Sequence, residues 1–326
     1  ASWMRPNRTP TEAGRGSAVK DDVGMDRHCR IGAVAIMLLV AALAGCGSLD
    51  EFAGRANETA HLHEQADAAL TRWAAAVAAA GGRQDFVPTE GMTGQVGDWE
   101  VEVGDNNKSA LMAGLVDAAV QLPDDVPPAG EIRWDDGTTL SVPTISAAEA
   151  LRDLQGEPES PCPECHPLKV TGARLSTATV QTSRGPATAP AWEFSLKGTQ
   201  VKVTRIAVAA GDGPAVQPPP WDANNPPSGL RIDSATGTIG GLGLTASFTG
   251  APDGADKPCG EDYTAEAVES DLAVVIIVTR HSNPSLGACS LVGAVRTATA
   301  ALVRPLGDRT VLDVMEGRPV PVQLAP

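Results

Sequence analysis

Apolar side chains recur at helical spacing between residues 58 and 80, where Leu62, Ala66, Ala69, Leu70, Trp73, Ala76, Val77 and Ala80 share one face. That spacing predicts an amphipathic helix, and Gly81-Gly82 is a stop signal for it. A second helix is expected over 108–122, opened by Asn106 or Asn107 and ended before Pro123. The segments 131–134 and 138–142 flank Asp135-Asp136-Gly137, which predicts a hairpin. Ser146 and Glu149 form a capping box, so a short helix should run from there to Gly156. Beyond Cys165 the period shortens to two. Strands are expected at 175–182, 191–196 and 201–208, forming a meander with Trp192, Phe194 and Leu196 on one face. A proline-rich crossing at 211–229 leads to further strands at 242–248, 263–268, 272–279, 296–303 and 310–314. The uninterrupted apolar run from Ala273 to Val278 predicts a central strand covered on both faces.

The longest apolar stretch stands apart from all of these. Ile31 to Leu43 is thirteen uncharged residues, preceded by Arg27 and Arg30 and followed by Ala44-Gly45-Cys46. A basic start, an apolar core and a small-residue ending make the layout of a secretory signal peptide. A retained transmembrane helix is the alternative, but 31–47 sits at the short limit of about 17 residues for a span. The ending Leu43-Ala44-Gly45-Cys46 resembles the lipobox of bacterial lipoproteins. The resemblance implies cleavage before Cys46 and lipidation of its sulfur. Two acyl chains give stable anchoring where one does not. Met25 reads as a start position, and 1–45 as a leader removed from the mature chain.

On this reading the fold class is α+β. A tether at 46–57 precedes a helix-containing N-terminal lobe (58–156), followed by a β-rich antiparallel C-terminal module (157–326). The proline-rich crossing offers another division, into 58–210 and 230–326.

Composition narrows the partners. The chain beyond the leader has 19 Lys/Arg against 36 Asp/Glu, a formal net charge of −17. Phosphate-bearing partners would be repelled, so nucleic acid is not expected. The acidity itself suits solubility outside the cell. Aromatic residues are only 3% of the chain, too few to furnish sugar-stacking platforms. Besides Cys46, the mature chain has Cys162, Cys165, Cys259 and Cys289. An even number in an exported chain reads as disulfides. Of the three possible pairings, 162–165 with 259–289 is favoured.

Three segments, TSRGPATAPAWEF (182–194), CGEDYTAEAVES (259–270) and RTATAALVRPLGDRTVLD (296–313), together resemble uncharacterised lipidated envelope proteins of high-GC Gram-positive bacteria. The resemblance spans roughly 160–326, with a looser match at 94–114. It implies a secreted, membrane-tethered module on the extracytoplasmic face, and no particular chemistry.

The candidate chemistry is thin. Cys162-Pro-Glu-Cys165-His166 has the form of a c-type haem attachment site. Pro161, Pro163 and Pro167 oppose the helix such a site needs. A redox-active dithiol needs a cysteine of lowered pKa, and Glu164 opposes thiolate formation. A structural staple accounts for the prolines. Zinc would need a second short knuckle, which 259 and 289 lack. His61 and His63, two apart on a helix, point to different faces. No Gly-x-Ser-x-Gly elbow occurs, and His281 with Ser282 is the one serine–histidine neighbourhood of note. Asp124-Asp125, Asp135-Asp136 and Glu261-Asp262 fall at turns without calcium-loop spacing. The sequence therefore predicts no catalytic residue, metal or cofactor. The function expected is a non-enzymatic binding or structural module whose partner is an envelope protein or small solute. The rival is an envelope thiol–disulfide or haem protein using Cys162, Cys165 and His166.

Overall fold

The computed structural model describes residues 46–99, 107–156, 162–209, 215–216, 228–283, 289 and 292–326. The signal-like stretch 31–45 lies outside them. Ala53–Pro326 forms one unit, and the residues up to Phe52 cluster separately. No helix among the described residues is long and apolar enough to cross a membrane.

Among the described residues there are fourteen strands and three helices, so the α+β expectation is overturned: the fold is mostly β-sheet, in three sheets. Helix α1 (Cys46–Ala79) ends where Gly81 and Gly82 both adopt positive φ, and the Gly82 N–H caps the Val77 carbonyl at 2.8 Å. Strands β1 (Thr93–Val96), β2 (Val116–Ala118), β3 (Gly130–Trp134) and β4 (Thr139–Val142) come from the segment expected to be a helical lobe. They pair instead with β5 (Leu168–Thr182), β6 (Gly185–Leu196) and β7 (Lys202–Ile206) in a single seven-stranded sheet. Strand β6 is its centre: β5 lies along one edge, and β7 and β3 share the other.

The second expected helix is cut short. Helix α2 (Asn107–Met112) stops before Gly114, whose φ of +66 no helix interior accommodates. A Cβ there would lie 2.9 Å from the Gln155 carbonyl. The chain then turns into β2, which runs parallel to β5. Helix α3 (Ala147–Gly156) is capped as predicted, with the Glu149 N–H on Ser146 Oγ at 3.2 Å. Its Ala150, Leu151 and Leu154 pack against Trp192, Phe194 and Leu196, the face the alternation assigned. The opposite face of the sheet is covered by Phe86 and Met92, over Ile132, Trp134 and Ala189.

The C-terminal strands build two further sheets. Strands β8 (Ser234–Thr238), β9 (Gly243–Gly250), β12 (Ala294–Ala301) and β14 (Val322–Ala325) form one, in the order β12-β9-β8-β14. Strands β10 (Glu261–Glu269), β11 (Ala273–Ser282) and β13 (Thr310–Asp313) form the other, with β11 in the middle. Val274, Ile276 and Val278 face Leu244, Ala246 and Phe248 across this sandwich. Ala273, Val275 and Ile277 face the other way, against Leu62, Ala66, Ala69, Trp73 and Val77 of α1. The apolar run is thus buried on both faces because a helix covers one and a sheet the other. Burying Trp73 and its neighbours removes apolar surface at about 25 cal/mol per Å², which is what holds α1 to residues far from it in sequence.

Candidate ligand cleft

The turns of the first sheet meet the end of the sandwich at a cleft of about 860 Å³. One wall is built by two hairpins. In the β3–β4 turn, Asp136 Oδ1 accepts the Thr138 backbone N–H at 2.8 Å and its hydroxyl at 2.6 Å. These bonds, the hydroxyl's first, hold the Asp136 carboxyl below its usual range, aided by the Arg184 charge. In the β5–β6 turn, Gly185 has a φ of +94, and Thr182 Oγ1 donates to the Gly185 carbonyl at 2.6 Å. The Trp134 indole N–H donates to the same hydroxyl at 3.0 Å. Arg184 lies over the Trp134 ring, 4.5 Å from its centroid, and donates to Thr138 Oγ1 at 3.0 Å. Its bridge to Asp136 is loose, at 3.7 Å.

The facing wall comes from the sandwich. Arg309 is buried and pairs with Glu269 at 2.6 Å, while its other donors reach the carbonyls of Arg304, Pro305 and Leu306. Asp308 stands beside it at the cleft. Ile239 and Leu324 supply exposed apolar surface. At the base, Gln84 joins the parts: it accepts from Trp73 and Thr310, and donates to the Leu272 carbonyl. Arg83 and Asp85, an ion pair, complete the rim. The cleft therefore presents one loosely tied arginine, Arg184, with carboxylates and aliphatic groups that a polar, charged solute can engage together.

The sequence flagged Asp135-Asp136 as a turn, and the turn is a wall of this cleft. It gave no reason to single out Trp134, Arg184 or Arg309. The available signal was two tight turns, Asp-Asp-Gly and Ser-Arg-Gly, whose tips the sheet brings side by side.

The other candidate residues are dispersed. Cys162–Cys165 and Cys259–Cys289 are both disulfides, the favoured pairing. The first closes a turn just before β5, with Cys165 packed against the core and His166 exposed. No helix carries it. Cys46 is the first residue of α1. His61 is exposed, and His63 pairs with Glu266 of β10 at 3.0 Å. His281 and Ser282, neighbours on a strand, project to opposite faces. The imidazole Nε2 meets Thr264 Oγ1 at 2.8 Å, whereas the Ser282 hydroxyl donates to Glu261 at 2.9 Å. They form no nucleophilic pair. Glu261 also accepts from Tyr263, whose phenol is pushed up chiefly by burial. A smaller cleft of about 580 Å³ opens there, beside the Cys259–Cys289 bridge. Among the described residues no three His, Cys, Asp or Glu side chains cluster as metal ligands.

Comparison of the chain with family models, with curated proteins and with solved structures finds no match.

Proposed function

We propose that this chain is a membrane-tethered lipoprotein of the extracytoplasmic face, related to the envelope lipoproteins its sequence resembles. Its task on this reading is binding, not catalysis, and the cleft between hairpin turns and sandwich is where a small solute docks. The observation that carries the reading is the cleft itself. Its volume of about 860 Å³ falls within the usual range for small-ligand sites, roughly 300–1,000 Å³. Its Arg184 is held by a stacking contact, one exposed hydrogen bond to Thr138 and a loose ion pair, and a ligand carboxylate can replace the last at little cost. The leader and the two disulfides support an address outside the cytoplasm.

The test has two arms. Expressed with its leader in a high-GC Gram-positive host, the protein should partition into the detergent phase and carry acyl mass on Cys46. Cys46→Ser should move it to the aqueous phase. Protein purified from those membranes and denatured should release a solute, seen by mass spectrometry, that Arg184→Ala protein does not carry. A wild-type chain without acyl mass sinks the anchor, and identical extracts from both proteins sink the cleft.

A further inference from the structure

Among the described residues, nothing pairs with the outer edge of β5 over half its length. Strand β2 pairs with it only at Leu168–Val170, and at the far end the Thr89 N–H bonds the Gln181 carbonyl at 2.9 Å. Between these points, among the described residues, β5 is paired on its β6 side alone. Because Gln181 points its carbonyl to the open edge, the alternation of an antiparallel ladder turns the N–H and C=O of Thr179, Thr177, Leu175 and Ala173 the same way. No described residue bonds these eight groups. The same four residues are exposed or half-buried.

Exposed edges are normally guarded by lysine, proline or an inward charge. From 173 to 179 this edge has no lysine or proline, and its single charged side chain, the exposed Arg174, already has its partner in Glu193 at 3.0 Å. In a chain of net charge −15 the stretch carries no carboxylate. We infer that the open edge of β5 is a docking slot for a short extended segment of a partner protein, which adds a strand to the sheet.

The slot sets the partner's chemistry. Seven residues at about 3.3 Å each give a length of roughly 23 Å. The end of β2 closes one side and Thr89 the other, so the incoming strand must bend away after five to seven residues. A second copy's fifteen-residue β5 would run into both stops. Without charge to answer, the inserted residues are uncharged, and those beside Leu175 and Thr177 are β-branched or aliphatic. A row of backbone groups selects a strand of polypeptide and no small solute.

A capped heptapeptide with the sequence of residues 173–179, its arginine replaced by glutamine so that it is uncharged, is the probe. Paired antiparallel about Ser176, it sets Ala173 against its Thr179 and Leu175 against its Thr177, matching all eight groups. Hydrogen exchange on the full chain should show these four amides open in the free protein. Saturating peptide should slow them by about tenfold or more. Thr177→Pro removes one outward N–H and no ladder bond with β6, so it should abolish the effect while leaving the melting temperature nearly unchanged. Peptide N-methylated at its Leu and central Thr should fail on the wild-type chain, a control that does not depend on the variant folding. Three results would each overturn the proposal: amides already protected in the free chain, no slowing at millimolar peptide, or slowing indifferent to N-methylation. A dimer that Thr177→Pro dissolves would also overturn it, by making the occupant a second copy.

Discussion

Asp313 ends β13 almost fully buried, its Oδ1 accepting the backbone N–H groups of Glu316 and Arg318, each at 3.2 Å. Burial outweighs those bonds and raises its carboxyl from 3.8 to about 6. Between those values the folded chain holds a proton that the unfolded chain has released. Stability therefore falls as pH rises through the window, by roughly 2–3 kcal/mol in all. Asp313→Asn keeps the acceptor oxygen and takes no charge. Its urea midpoint should equal the wild-type value near pH 4 and exceed it above pH 6; equal midpoints at every pH would refute the assignment. Arg309 is the opposite case, a buried cation fully matched by Glu269 and three carbonyls. Arg309→Ala strands Glu269 and should cost about 3–5 kcal/mol in denaturant melts. Neither role was legible in the sequence, because burial of a charge depends on which distant segments close over it.

Elements whose side chains repeat at one period were legible. Helix α1 from 58 onward, the β3–β4 hairpin, the α3 cap and the doubly covered β11 all follow from local pattern, whereas 46–57, expected as a tether, continues the same helix. Strands β1, β8 and β14 did not show, since Thr-Gly-Gln-Val, Ser-Ala-Thr-Gly-Thr and Val-Gln-Leu-Ala owe their pairing to neighbours rather than to alternation. The error over α2 has one residue behind it, the left-handed Gly114. The two disulfides differ in what they constrain. Cys259–Cys289 closes a span of 30 residues and Cys162–Cys165 a span of three. On the chain-entropy account, serine pairs at the first should cost about 4 kcal/mol and at the second about 2 kcal/mol. Calorimetry of both double variants checks this, and a larger loss at 162–165 would contradict the loop-length account.

At the scale of the molecule, contacts that join the first sheet to the sandwich include Gln84 at the base of the cleft and the Val322 N–H on the Ser183 carbonyl at 2.9 Å. The same junction was invisible in the sequence, since it gathers residues from 83 to 324. The α+β expectation of a helix-containing N-terminal lobe failed for the same reason. Its helix belongs to the sandwich, and its strands belong to the first sheet. Deleting 310–326 removes β13 and β14, including Leu312 and Val314 beneath α1. Such a chain should bind a hydrophobic dye and melt without a sharp transition; a cooperative melt would show that β13 is dispensable.

Gln65 on α1 reaches the Val314 carbonyl at 2.5 Å across 249 residues of sequence. Synthesis runs from the amino end, so this helix emerges early while the strands that shelter its greasy stripe are made last. For most of the time a ribosome spends on the message, Leu62, Trp73 and Val77 have nothing to rest on. Any truncation before β13 leaves that sticky stripe uncovered, a target for quality-control proteases.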